Sequence, residues 1–250
     1  MDNYVIPVLT GAAINLALLL PLFAAAWLSN RSKPAAKPIL LFAFFFVLDM
    51  ALIFSFRVVH FIPAWGHYNW QGKVLEAAWP VLLALFVKGY SAGRIGLTLP
   101  ESRQSWRILA FTCVLYAVVG IPVALLMGAH FGVGGDVSSF AYEATMPGLG
   151  EEFVYRGVLL MLLNEAFGRP WKVLGASFGW GAVIVTAMFG FLHGIDVKGG
   201  HPMSISFYWT GMIYPAVIGV VLAWLRERTG SVWPGVLLHN FVNVLNQFLV

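Results

Sequence analysis

Charge is scarce in this sequence. Only 10% of its 250 residues are Asp, Glu, Lys or Arg, against about 25% in an ordinary soluble domain. That is too little to coat a surface facing water. Cysteine is nearly absent as well: Cys113 stands alone, which excludes a secreted scaffold stapled by internal disulfides. No continuous basic patch exists, so nucleic acid is not an expected partner despite a net charge of +4. Gly132-Val-Gly134 is the nearest approach to a phosphate-binding loop and is too short to be one.

Apolar residues fill the space left by charge. They make up 60% of the chain, with a mean hydropathy of +0.81. Disorder is excluded by that much surface to bury, and lipid becomes the expected solvent. Windows of about 20 apolar residues, the length that crosses a bilayer, fall near 5–28, 38–56, 74–90, 107–129, 147–167, 174–193, 205–225 and 231–250. The expected fold is therefore an all-α, polytopic membrane protein of about eight transmembrane helices enclosing an intramembrane active-site cavity. One integral membrane domain over 1–250 is expected, with the chemistry concentrated in 147–245.

Eleven of the 15 basic residues fall in the connections after the first, third, fifth and seventh windows, among them Arg31, Lys33, Arg94, Arg169 and Arg226. Arg57, Lys73 and Lys198 lie in the opposite connections, and Arg156 lies within a window. Basic connections face the cytoplasm, which puts both termini outside. Trp27, Trp106, Trp171, Trp224 and Trp233 flank the basic connections as interfacial anchors would. No Lys or Arg precedes the first window, and its length argues against a cleaved signal. Gly175 and Gly179 form a GxxxG spacing suited to close helix packing.

Three places in the second half break the apolar pattern, although each charge at mid-membrane costs about 2.5–3.5 kcal/mol or more. Glu151-Glu152-x-x-x-Arg156 opens the fifth window behind Pro147, Gly148 and Gly150. At helical spacing Glu152 and Arg156 share a face and can pair, which leaves Glu151 uncompensated. His193 ends the sixth window, and His239 and Asn243 share a face within the eighth. Taken singly, each has an ordinary account: acids at a helix start, an interfacial imidazole, polar glue between helices.

Depth joins them. The fifth window enters from outside, the sixth ends there, and Asn243 lies about 6 Å beyond His239, from four residues at the α-helical rise. All three groups fall in one outer layer of the membrane. A carboxylate beside an imidazole can deprotonate water. A second imidazole and an amide can donate hydrogen bonds to an oxyanion. Spacing alone leaves open which of Glu151 and Glu152 is the base. No GxSxG motif occurs, so a serine nucleophile is unsupported.

Glu151-Glu152-x-x-x-Arg156, Phe189-x-x-x-His193 and His239-x-x-x-Asn243, in this order, resemble the three motifs of the CPBP (Abi) family of type II CAAX prenyl endopeptidases and bacteriocin-processing enzymes. Arg156-Gly157, His193-Gly194 and Gly230-Ser231-Val232-Trp233-Pro234 agree with it, and the likeness covers about 147–245. The resemblance implies an intramembrane glutamate protease. Glu151 with His193 would activate water, His239 with Asn243 would form the oxyanion hole, and Glu152 with Arg156 would support the base. The implied substrate is a membrane-associated or lipidated protein or peptide, prenylated in some cases, within a bacterial or archaeal cell membrane. No cofactor is expected. Zn²⁺ held by glutamate and two histidines is the minor alternative, since the ligand types suit it. Two rival functions are carried alongside: a non-proteolytic scaffold or immunity partner, and a transporter using Asp49 as a proton relay.

Overall fold

The computed structural model describes residues 5–30, 34–55, 60–62, 65–126, 128–200 and 202–249. Arg31, Lys33 and Arg57, used above to assign sides, lie outside the described residues.

Four helices are long and apolar enough to cross a membrane: α1 (Val5–Ser29), α2 (Ala36–Phe54), α5 (Arg103–Leu126) and α10 (Trp209–Thr229). α4 (Ala92–Ile95) and α6 (Val137–Glu143) are short connectors, and three further apolar helices fall below that length. Of the eight expected spans, four are matched by such helices among the described residues. In α3 (Trp70–Phe86), the Asn69 side chain caps the start by accepting from the Gly72 N–H, one of the donors a helix leaves free. The helix stops at the extended residue Val87, after 17 residues. α9 (Trp180–Gly194) and α11 (Trp233–Asn246) have 15 and 14 residues, or about 21–23 Å at the α-helical rise.

Burial explains why these short helices need no hydrocarbon match. α7 (Met146–Glu151), a π-helical segment (Glu152–Leu159) and α8 (Leu160–Phe167) run on without a break. Every side chain from Glu152 to Leu163 is buried. This central rod is wrapped by α2, α3, α9, α10 and α11, so its charges meet protein rather than lipid. α5 lies at the rim, with Phe111, Val114 and Val118 exposed on its outer face. Its apolar surface finds its partner in acyl chains. This is an integral membrane protein.

The fold is predominantly helical, as expected, and two short β-hairpins accompany the helices. β1 (Trp171–Val173) pairs antiparallel with β2 (Ala176–Phe178), and β3 (Ile195–Lys198) with β4 (Ser204–Phe207). The β1–β2 turn places Leu174 at φ 47° and Gly175 at φ 81°, the pair of positive angles a tight two-residue hairpin demands. Gly175 is therefore a turn residue and Gly179 the cap before α9. Neither glycine of the GxxxG spacing lies within a helix.

Candidate active site

The central rod is anchored before it delivers its acids. The buried Asn240 accepts from the Gly148 N–H at 2.8 Å and donates to the Thr145 carbonyl at 3.3 Å, which fixes the first turn of α7 against α11. A Cβ on Gly148 would strike the Asn240 amide, and one on Gly150 would strike the Glu76 carboxylate. Glycine at both positions permits this approach. The rod then widens to π geometry from Glu152, a local irregularity that proteins retain mostly at functional sites.

Glu152 and Arg156, one turn apart, are fully buried and joined at 2.9 Å. The same carboxylate oxygen accepts from His239 Nδ1 at 3.0 Å. Arg156 also lies over the Phe189 ring, 4.2 Å from its centre, where a desolvated cation gains from the ring quadrupole. Gly235 lets α11 close on this pair: a Cβ there would lie 3.0 Å from Glu152 Oε2.

Glu151 is divided between two environments. Its Oε1 accepts from Lys73 Nζ at 2.6 Å. Its Oε2 faces His193 Nε2 at 4.0 Å and His239 Nε2 at 3.8 Å. His193 Nδ1 donates to the Phe189 carbonyl at 2.8 Å. With Nδ1 committed there, Nε2 is the ring nitrogen left to face Glu151. The His193 side chain is 37% exposed and that of Glu151 13%, so the cluster opens beside His193.

Five of the six candidates, Glu151, Glu152, Arg156, His193 and His239, thus meet in one constellation. Asn243 is engaged differently. Its Nδ2 donates to Glu143 Oε2 at 2.9 Å, tying α11 to the end of α6. Burial, reinforced by the Glu151 charge, pushes the Glu143 carboxyl above its ordinary pKa, while the Asn243 hydrogen bond opposes the rise.

Lys73 and Glu76 are the residues that sequence reasoning missed. Lys73 also pairs with Glu76 Oε2 at 2.7 Å, and Glu76 is fully buried. The acid expected to stand uncompensated is therefore neutralised from α3. Asp49 accepts from Trp79 Nε1 at 2.9 Å in the core between α2 and α3, the polar packing contact that a lone intramembrane acid calls for.

A zinc ion would need Glu151, His193 and His239 as ligands. The Lys73 ammonium already occupies one oxygen of that carboxylate, and a second cation on the same group would meet its repulsion. Among the described residues no group of three His, Cys, Asp or Glu is arranged to hold a metal ion.

Residues 133–245 match the family described as type II CAAX prenyl endopeptidase, Rce1-like. Among curated proteins, the UPF0750 membrane protein YpjC of Bacillus subtilis (strain 168) is 30% identical over 146 residues, covering 50% of this chain. The chain spans about half the length of that relative, 48% of it. No solved structure matches. All six motif residues fall within the matched segment, whereas Lys73, Glu76 and Asp49 fall outside it.

Proposed function

We propose that this chain, whose residues 133–245 match the Rce1-like type II CAAX prenyl endopeptidase family, is an intramembrane endopeptidase that hydrolyses a peptide bond with water activated by Glu151. The observation that carries the reading is the division of Glu151, one oxygen bound by Lys73 and the other turned to two imidazoles. A buried acid kept only for packing would need no such arrangement.

Chemistry follows from the donors and acceptors. Glu151 Oε2 and His193 Nε2 are both acceptors, and a water between them can donate one proton to each. Its lone pair is then free to attack a carbonyl carbon, while Glu151 takes the proton and passes it to the leaving amine. Glu152, paired with Arg156, accepts from the Nδ1–H of His239 and fixes that ring. As an imidazolium, His239 then offers Nε2–H to the developing oxyanion. Asn243 supplies a second donor when substrate draws its amide from Glu143. No step requires a metal ion.

The substrate class follows from the setting: a protein or peptide that reaches the site from the membrane, with prenylated chains one version of it. The chain is read as multi-pass, with the site in the outer membrane layer.

Liposomes carrying the purified chain test the metal-free reading. Cleavage of co-reconstituted host membrane proteins should survive exhaustive chelation and disappear in Glu151→Ala. Activity lost on chelation and restored by Zn²⁺ would overturn it.

A further inference from the structure

We infer that the outer edge of β4 is the substrate-docking strand, on which an extended, apolar segment of the polypeptide to be cut adds as a third strand beside His193. This rests on the proteolytic reading and specifies how the substrate is held.

The register gives the edge its chemistry. Tyr208 N–H donates to the Gly194 carbonyl at 2.8 Å, and the ladder continues as Ile195↔Phe207, Asp196↔Ser206, Val197↔Ile205 and Lys198↔Ser204. Hydrogen-bonded and non-hydrogen-bonded pairs alternate along an antiparallel ladder. Counting from 194↔208, the bonded pairs are 196↔206 and 198↔204. Ile205 and Phe207 therefore turn their N–H and C=O groups away from β3, and among the described residues β4 pairs with no other strand. β3 itself packs against α1, where a Cβ on Gly11 would meet the Val197 side chain at 3.7 Å.

An unpaired edge beside a membrane is a liability unless something completes it. Its position names what does. β3 begins two residues after His193, whose Nε2 faces the proposed base, so the docking edge is continuous with the reacting groups. A helical peptide bond is unsuited to attack, since its carbonyl is engaged four residues on. A peptide must be drawn out before it is cut, and strand addition supplies backbone partners for a drawn-out chain. Ile205 and Phe207 lie on one face, 43% and 52% exposed, and offer apolar contacts to alternate residues of the incoming segment.

The experiment uses a synthetic membrane peptide spanning a bond that the wild-type protein cuts. Ile205→Pro removes one outward N–H and leaves the bonded pairs intact. It should lower kcat/KM at least about tenfold through KM, whereas Ile205→Ala, which keeps that N–H, should lose no more than about threefold. If the proline variant unfolds, the same peptide with esters in place of the flanking amides, given to the wild type, should show the rise in KM. Equal cleavage of ester and amide peptides, or by a folded proline variant and the alanine variant, would overturn strand docking while leaving the protease intact. A wild type that cuts no bond would remove both.

Discussion

Exchanging Lys73 for methionine is expected to destabilise the protein and silence it together. Lys73 holds Glu151 at 2.6 Å and Glu76 at 2.7 Å, with only 12% of its side chain exposed. Methionine fills much of the same volume but leaves two buried carboxylates with no ammonium between them. Removing one partner of a buried ion pair typically costs about 3–5 kcal/mol, enough to exhaust a marginal fold. Glu151 then escapes that cost by taking up a proton, and a neutral carboxyl cannot act as base. Cleavage should fall by about 10²-fold or more, within the range of general-base contributions. Lys73→Arg keeps the charge and should recover most of the stability. Thermal melts in detergent with cleavage rates on the same preparations decide it; a Lys73→Met variant with wild-type stability and rate would show the ammonium to be dispensable.

The second large effect is at Arg156. Arg156→Met strands the Glu152 charge at a site with no exposure, and a loss of about 3–5 kcal/mol is expected. The double variant Glu152→Leu/Arg156→Met separates structure from chemistry. Neutralising both members of a buried pair is often harmless to stability, so the melting temperature should climb back toward the wild type. Activity should not follow, because His239 Nδ1 loses the carboxylate that orients it. Recovery of cleavage together with stability would assign the pair to packing alone.

These two variants also mark where the sequence was legible. Glu151, Glu152, Arg156, His193 and His239 stand out because charge and imidazole interrupt apolar windows, and a bilayer penalises each interruption. The spacing of four residues was enough to pair Glu152 with Arg156. Lys73 escaped notice because it lies just before an apolar window and reads as an interfacial loop residue. In fact α3 begins earlier, at Trp70, and carries it inward. Glu76 could have been found by the same rule as the others, since it is an acid inside a window, three residues from a lysine.

Span number is harder to read for a related reason. Hydropathy registers apolar surroundings without telling lipid from protein, so the buried α9 and α11 look like spans although they have 15 and 14 residues. The hairpins were hidden by their brevity and by Leu174, a residue that seldom adopts positive φ in a tight turn. The π-helical segment has no sequence period of its own.

The central claim is that Glu151 is the base of a protease, and one comparison tests it most directly. Cells producing the wild type or Glu151→Gln at matched abundance would have their membrane proteins and released peptides profiled for new chain termini by mass spectrometry. Glutamine keeps the size of the side chain and a hydrogen-bond acceptor for Lys73, but cannot take the proton from water. Termini present with the wild type and absent with the variant are the expected result, and they would name the substrate. Identical profiles from two folded, abundant proteins would contradict the account and leave the polar cluster as the binding site of a non-proteolytic partner.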